Sequence, residues 1–287
     1  MNLAPLPVSA IVLTHNEEAN IEECLVSLKN WASEIFVVDS GSTDRTLDIA
    51  RGYTQNIVAH PFETYAHQRN WAQFNLPLTH DWVFHIDADE RVTPALSSSI
   101  HNLFTGEEIT IAQGALMARR TIFMGRPILY GGHYPVYHAR LFRRDAGRCE
   151  DKLYDQHFLI SGKSIVLKGD LIDVITSDLR VWTQRHAVWG ELEAQEQSGI
   201  QRNQANTDHI IAGRLDGDAI QQRRWLRTSV YDRAPLFLRS FLYFFYRYFI
   251  RLGFLDGVEG LIFHFLQGCW FRFYIDSKIW EMRRKAQ

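Results

Sequence analysis

Two aspartates, Asp87 and Asp89, are the residues whose type and spacing best suit chemistry. They follow the apolar run WVFHI, so both carboxylates are expected just past the end of a buried strand. Carboxylate oxygens are ligands that Mg²⁺ and Mn²⁺ prefer, and a cation held by few protein ligands keeps positions for phosphate oxygens. The pair therefore predicts a metal site that bridges a diphosphate. An isolated Asp-x-Asp is common on solvated loops, so this hypothesis depends on its neighbours.

Polar segments follow two other apolar runs. THNE, residues 14–17, comes after VSAIVL, and DSGSTD, residues 39–44, comes after EIFVV. Ligands of doubly wound sheets bind outside the carboxyl ends of the strands. Asp39 is expected to accept hydrogen bonds from a base or ribose, because Asp44 already suits the turn-forming role. The alternative is local capping, with Asn16 as the N-cap of the first helix.

A candidate for direct contact with phosphate lies between DSGSTD and Asp87, at Arg69. Arg69 belongs to a Gln-Arg-Asn trio that opens a helical pattern after the break at His60-Pro61. A guanidinium there could meet a diphosphate, because it offers several N–H donors in a fixed geometry. The alternative is an ordinary surface arginine.

Short apolar runs alternate with helical patterns in the first hundred residues, which predicts βαβ units and a doubly wound α/β sheet. The helical patterns cover residues 17–29, 43–51 and 94–104. The runs AQGALMARR, HARLFRR and SIVLKGD predict further strands that extend the sheet. The predicted organisation is a domain over 1–175, a polar helical connector over 176–220 and a helical region over 221–287.

Composition limits the class of protein. The 287 residues are 46% hydrophobic, which is enough for a sizeable core, and the net charge of -2 gives no general basic field for nucleic acid. Three distant cysteines fit neither a disulfide framework nor a C-x-x-C metal site, which favours a reducing compartment, the cytoplasm. No apolar run is long enough for a signal peptide or a membrane-spanning helix.

The segment from Gln221 to Arg251 is unusual, because seven arginines face a single acid, Asp232, among closely spaced aromatic residues. This mixture predicts a helix in the lipid headgroup layer, with rings inserted and guanidinium groups on lipid phosphates. Burial in a helical subdomain or a dimer interface is the alternative. Nucleic acid is disfavoured, because the aromatic residues are too contiguous for a solvated stacking platform.

The segments SAIVLTHNEEANIEECLVSLKNWASEIFVVDSGSTDRTLDIA and HDWVFHIDADERVTPAL resemble glycosyltransferase family 2, which has the GT-A fold. They are most similar to its lipopolysaccharide-core β-1,4-glucosyltransferase-like branch, with weaker similarity at HARLFRR and GFLDG. The resemblance implies inversion at the anomeric carbon, a nucleoside pocket and a metal and diphosphate motif. By this resemblance, Thr14, Asn16, Glu17 and Asp39 line the nucleoside pocket, and Asp87 and Asp89 form the metal and diphosphate motif. Ser40 and Arg69 are added to them and to Asp87 as candidate cofactor-binding residues.

A single displacement needs a carboxylate that takes the proton from the attacking acceptor hydroxyl. Members of this branch often carry His-Glu followed by a basic and an apolar residue, and that pattern places Asp151 at the glutamate. Here Glu150 stands where the histidine is expected, so Asp155 and Glu150 remain rival candidates. Each could also be a plain surface acid. His157 could contact the metal or phosphate, or be structural.

The sequence as a whole predicts transfer of a hexose from a nucleotide sugar, with UDP-sugar expected, to a hydroxyl of a lipid-linked glycan in cell-surface polysaccharide or lipopolysaccharide synthesis. Mn²⁺ or Mg²⁺ would assist, and the protein would lie on the cytoplasmic face of the inner membrane as a peripheral protein. A soluble or protein acceptor and a non-catalytic nucleotide-sugar scaffold are the alternatives, and a homo-oligomer stays open. A Rossmann oxidoreductase is disfavoured, because no G-x-G-x-x-G follows the first strand.

Overall fold

A computed structural model describes residues 4–198, 211, 213–217 and 219–286. These residues form two compact units. The first takes its described residues from Met1–Thr121, Tyr137–Glu150 and Gln156–Thr176, and the second from Ile122–Val136, Asp151–Asp155 and Ser177–Gln287. The boundaries expected at 175 and 220 stay a prediction. Residues 199–210, 212 and 218 of the predicted connector lie outside the described residues.

The first unit is built on a mixed sheet with the strand order β3-β2-β1-β4-β8-β6-β11-β5. Strands β1 to β4 are parallel neighbours, whereas β8 runs antiparallel to β4 and β5 antiparallel to β11. The predicted α/β sheet is thus confirmed, with antiparallel strands added to its parallel half. The strands are β1 (Leu6–Thr14), β2 (Ala32–Asp39), β3 (Ile57–Ala59), β4 (Trp82–Asp87), β5 (Glu90–Val92), β6 (Gly114–Phe123), β7 (Arg126–Pro127), β8 (Val136–Arg143), β9 (Gly147–Cys149), β10 (Phe158–Ile160) and β11 (Ser164–Ile175).

Helices cover the sheet with the apolar faces expected from the sequence. Ile21, Leu25 and Leu28 of the first helix are fully buried in the main core. The helix begins at Ile21 after Asn20, so the expectation that Asn16 is its N-cap is wrong. The helices of this unit are α1 (Ile21–Lys29), α2 (Thr46–Ala50), α3 (Tyr65–Asn75) and α4 (Pro94–Thr105), followed by a 3₁₀ turn at Glu107–Thr110.

The second unit is mainly helical, as the polar and aromatic patterns predicted. Its described residues include three π-helical turns. One of them, Tyr246–Ile250, continues the helix Leu238–Phe245. Another, Leu266–Trp270, joins the last two helices. None of the described helices is both long and apolar enough to span a bilayer. The helices are α5 (Leu179–Ser198), α6 (Ala219–Leu226), α7 (Leu238–Phe245), α8 (Gly257–Phe265) and α9 (Phe271–Lys285), and the π-helical turns are Arg227–Tyr231, Tyr246–Ile250 and Leu266–Trp270.

The GFLDG segment has a structural role within the second unit. The Asp256 carboxylate accepts hydrogen bonds from the backbone N–H groups of Leu129 and Tyr130, each at 3.0 Å, and lies 3.2 Å from Nε2 of His264. Gly131 follows with φ of 66°, and a Cβ there would meet the His264 ring at 2.2 Å. Only glycine fits this close approach, so the YGG sequence and Asp256 fix one loop together.

Candidate active site

The parallel strands bring three of the expected polar residues to one edge of the sheet. Thr14 is the register partner of Asp39 across β1 and β2, and Leu13 is the partner of Asp87 across β1 and β4. The ends of neighbouring parallel strands are adjacent, so the loops that follow these residues share one side of the first unit. The three strand ends chosen from the sequence are therefore neighbours.

Asp39 is buried and organises the loop that follows it. Its carboxylate accepts hydrogen bonds from the backbone N–H groups of Gly41 at 2.9 Å and Ser42 at 3.0 Å, and also from the Ser42 hydroxyl. Asp44 plays the same part for Thr46. The turn-forming role that the sequence argument reserved for Asp44 thus belongs to both acids. Contact of Asp39 with a nucleoside stays a prediction.

Asn16 and Glu17 lie in the loop after β1, which is hydrogen-bonded to the loop after β2. Asn16 has left-handed backbone geometry, with φ of 54°, and its Oδ1 accepts from the Thr43 N–H at 2.8 Å. The Glu17 N–H donates to the Thr46 hydroxyl at 2.8 Å, and its carboxylate accepts from Asn20 at 2.7 Å. These bonds make the two loops a single rigid platform.

Thr14 and Ser40 differ in the state of their hydroxyl groups. The Ser40 hydroxyl accepts a hydrogen bond from the Gln68 amide at 3.1 Å. The Thr14 hydroxyl is buried and has no partner among the described residues. A buried hydroxyl without a partner is costly, so Thr14 is the better placed of the two to bond a ligand.

Asp87 at the end of β4 lies between two guanidinium groups. Arg69 from α3 donates to it at 2.8 Å, and Arg140 from β8 donates at 3.0 Å. Burial by itself would raise the pKa of Asp87, but the two positive charges lower it well below its ordinary value. Asp87 is therefore ionised and strongly held.

Glu90 completes this charged group. Its carboxylate accepts from Arg140 at 2.7 Å and from the Asp87 N–H at 3.0 Å, which closes the turn between β4 and β5. Neither Arg140 nor Glu90 was predicted from the sequence as part of the site. The available signal was an arginine among apolar residues in the strand HARLF, because a buried arginine needs an acidic partner.

Asp89 lies two residues beyond Asp87 in opposite surroundings. Its carboxylate has no hydrogen-bond or ion-pair partner in the described part of the chain. Burial, and then the negative charges of Asp173 and Asp87, raise its pKa well above the ordinary value. An unpaired carboxylate among other acids fits a divalent cation, which would supply the missing positive charge. No group of three or more His, Cys, Asp or Glu side chains that could hold a metal ion occurs among the described residues. A cation at Asp89 would therefore also need oxygen atoms from a bound substrate.

Arg69 is buried rather than on the surface, which excludes the ordinary surface alternative. Its guanidinium pairs with Asp87 and lies 5.7 Å from the ring centroid of Phe158 and 5.8 Å from that of Tyr65. Its Nε is buried without a partner in the described part of the molecule. Arg69 therefore holds Asp87 in place, and contact with a diphosphate stays a prediction.

The three candidates for the proton acceptor are in different states. Glu150 is fully buried in the first unit, and its carboxylate accepts from the His157 N–H at 2.8 Å. In the second unit, Asp155 is ion-paired with Arg227 at 2.6 Å. Asp151, also of the second unit, is exposed and has no partner among the described residues. Of the three candidates, only the Asp151 carboxylate makes no hydrogen bond or ion pair among the described residues, and the identity of the proton acceptor stays a prediction.

Two arginines of the segment from Gln221 to Arg251 fit the alternative of burial in a helical subdomain. Arg239 and Arg247 are 3% and 6% exposed, so these two side chains lie inside the second unit. Arg239 pairs with the buried Asp276, and Arg247 donates to the Gly131 carbonyl at 3.0 Å. Exposed side chains of this segment include Arg223, Arg233 and Arg251, together with aromatic and aliphatic residues.

A mixed α/β sheet with flanking helices and acidic strand ends defines the class of the first unit as a GT-A type fold. A mannosyltransferase from Pyrobaculum calidifontis, determined with GDP-Man and Mn²⁺, is a solved structure of similar fold. Its TM-score is 0.52 and its sequence identity 16%, over 100% of this chain and 91% of that chain.

The chain belongs to glycosyl transferase family 2, because the family model matches residues 9–152. A lipopolysaccharide core biosynthesis glycosyltransferase of Rhizobium meliloti, LpsC, is 35% identical over 50% of this chain and 53% of its own length. An uncharacterized glycosyltransferase of Rickettsia prowazekii is 27% identical over 98% of this chain and 89% of its own length. The chain spans only 33% of the length of a Rickettsia bellii relative and about half of the length of LpsC.

Proposed function

We propose that this protein transfers a hexose from a nucleotide sugar, with UDP-sugar as the expected donor, to a hydroxyl of a lipid-linked glycan. The observation that carries the proposal is the strand-end arrangement of the first unit. There the unpartnered Thr14 hydroxyl and the unpaired Asp89 carboxylate lie beside the platform of two hydrogen-bonded loops. Nucleotides bind at this edge of α/β sheets.

Asp89 would hold a Mn²⁺ or Mg²⁺ ion together with oxygens of the donor. The ion would neutralise the charge that develops on the leaving nucleoside diphosphate. Arg69 and Arg140 hold Asp87 ionised beside it. We assign the proton acceptor to Asp151, whose carboxylate is exposed and unpaired, and single displacement would invert the anomeric carbon.

Two observations support the proposed acceptor and the proposed location of the protein. LpsC is a lipopolysaccharide core biosynthesis glycosyltransferase, and its similarity supports a glycan acceptor in cell-surface synthesis. We place the protein, as a proposal, at the cytoplasmic face of the inner membrane. In the second unit, large apolar side chains are about half exposed over consecutive helices, and such patches mark interaction surfaces. We assign this surface to peripheral contact with the membrane. It includes Leu238, Phe241, Leu242, Phe245, Phe249, Ile250, Val258 and Phe265.

The test of the enzyme is a panel of nucleotide sugars with Mn²⁺, measured by binding and by release of nucleoside diphosphate. Wild type is expected to release one nucleoside diphosphate, and Asp89→Ala is expected to lose that release. Asp145→Ala is the matched control, because Asp145 is an exposed acid with only a 3.9 Å contact to Arg144. The neighbouring Arg144 bonds the backbone of Asp81, before the start of β4, whereas Asp89 follows its end. Binding without turnover would favour the scaffold alternative, and binding to no member would refute the proposal.

The membrane surface is tested by sedimentation with lipid vesicles. Phe241→Ser combined with Phe245→Ser is expected to reduce vesicle binding by about tenfold or more, because each ring contributes apolar area that leaves water. Val26→Ser in the first unit is the matched control, since Val26 is also 50% exposed. Unchanged vesicle binding of the double variant would refute the membrane assignment and favour a soluble acceptor.

A further inference from the structure

Several arginines of the second unit have no carboxylate partner among the described residues, and the charges of three of them, Arg223, Arg247 and Arg272, act on the same tyrosine, Tyr243. Arg247 is the clearest case, because it is 6% exposed. Its Nε donates to the Gly131 carbonyl at 3.0 Å, whereas its Nη2 is buried and makes no hydrogen bond within the described chain. No carboxylate of the described residues bonds this guanidinium directly, and the charge of Asp256 acts on it from a greater distance.

Arg272 lies against the same aromatic ring as Arg247. The Arg247 guanidinium carbon is 5.6 Å from the ring centroid of Tyr243, and that of Arg272 is 6.0 Å from it. The Nε of Arg272 is also buried without a partner in the described chain. Arg223 is exposed, and its charge acts on both Tyr243 and Arg247.

Other arginines of the second unit form ion pairs with acids. Arg227 is paired with Asp155 and with Glu193, and Arg239 with Asp276. The three unpaired arginines are therefore a local surplus of positive charge.

The electrostatics of Tyr243 agree with this surplus. Burial alone would raise the pKa of Tyr243, but the charges of Arg247, Arg272, Arg223 and Arg227 lower it below its ordinary value. The backbone is also unusual here, because Arg247 lies in a π-helical turn and Arg272 follows another by two residues. Such turns are rare and are frequent at functional sites.

We propose that Arg223, Arg247 and Arg272 form a binding site for a phosphate-class oxyanion carried by a lipid. Clustered guanidinium groups suit phosphate, because their N–H donors match its oxygens. The phosphate would come from the diphosphate of a lipid-linked acceptor or from a phospholipid headgroup. The site lies wholly within the second unit and does not depend on donor binding.

The test uses the full chain with EDTA and inorganic pyrophosphate as the probe, measured by calorimetry and by thermal unfolding. Arg223→Gln and Arg272→Gln are expected to weaken pyrophosphate binding by about tenfold or more. Arg223 is exposed, so its replacement keeps the fold. Arg233→Gln is the matched control, because Arg233 is an exposed arginine of the same unit and is expected to bind like wild type. Equal affinity in all four proteins, or no binding by wild type, would overturn the proposal.

Vesicles distinguish the two sources of phosphate. Phosphatidylcholine vesicles are compared with the same vesicles containing either a polyprenyl diphosphate or phosphatidylglycerol. A gain in binding with polyprenyl diphosphate alone, lost in Arg272→Gln, supports an acceptor diphosphate. An equal gain with both lipids, also lost in that variant, supports a headgroup. No gain with either lipid overturns the proposal.

Discussion

The two units contain charged groups in opposite balance. In the first, Asp87 is held by Arg69 and Arg140, whereas Asp89 has acids around it and no cationic partner among the described residues. In the second, Arg239 is held by Asp276, whereas Arg247 has no carboxylate partner among them. Each unit therefore combines paired charges, which hold the fold, with unpaired charges of one sign, negative in the first and positive in the second.

This difference shows that residue type alone does not distinguish charges that stabilise the fold from charges that are available to a ligand. Asp87 and Asp89 belong to one motif, and Arg239 and Arg247 to one arginine-rich segment. What separates the members of each pair is the presence of a counter-charge. Removing one partner of a buried ion pair leaves the other uncompensated, whereas removing an unpaired charge leaves no buried charge without a partner.

The largest expected effect concerns Asp151 and Asp155. Asp151→Asn is expected to lower nucleoside diphosphate release by about 10²–10⁴-fold, because a proton acceptor contributes that much. Asp155→Asn is expected to lower it far less, because Asp155 pairs with Arg227. The measurement is turnover of the donor found in the panel, with donor affinity as the control for folding. Equal losses in both variants would remove the distinction between them.

The next effect is on stability within the second unit. Arg239→Met is expected to lower the free energy of unfolding by about 3–5 kcal/mol, because it leaves the buried Asp276 uncompensated. Arg247→Met is expected to lower it by less, about 1–2 kcal/mol, since it leaves the Gly131 carbonyl without its donor but no carboxylate uncompensated. Urea unfolding of both variants measures the contrast. A cost of Arg247→Met as large as that of Arg239→Met would show that Arg247 is a structural charge.

The same contrast in the first unit predicts different results for Asp87 and Asp89. Asp87→Asn is expected to cost about 3 kcal/mol of unfolding free energy, because Arg69 loses its carboxylate. Asp89→Asn is not expected to lower stability, because it removes repulsion between acids. Urea unfolding in EDTA checks both values. A loss of stability in Asp89→Asn would mean that this carboxylate has a structural role.

The last prediction concerns His186, a group that burial keeps neutral. Burial lowers the pKa of His186 in the second unit to about 4, below the value near 6.5 of the unfolded chain. The unfolded state thus binds a proton first as the pH falls. Stability from this residue is complete above about pH 6.5 and falls by up to about 3 kcal/mol toward pH 4. Comparing unfolding at pH 7 and pH 4.5 in wild type and His186→Phe checks this, and an equal pH dependence would contradict it.

Much of the fold could be predicted, because local patterns carry it. The runs around residues 8–14, 34–39 and 82–87 became β1, β2 and β4, and the resemblance to family 2 was confirmed. The antiparallel additions to the sheet could not be derived, because they depend on pairings between strands far apart in sequence. Asn16 was misassigned as a cap because its hydrogen bond to Thr43 joins two loops 27 residues apart.

The sequence by itself determined which residues stand at the strand ends, since alternating apolar runs and polar loops are local properties. It also placed arginines and aromatic residues together in one segment. Only the tertiary structure decided which charges are paired. Arg140 reaches Asp87 from a strand 53 residues away, and Arg239 reaches Asp276 from 37 residues away. Electrostatic pairing depends on distance in space and on burial, and neither can be read from the order of residues along the chain.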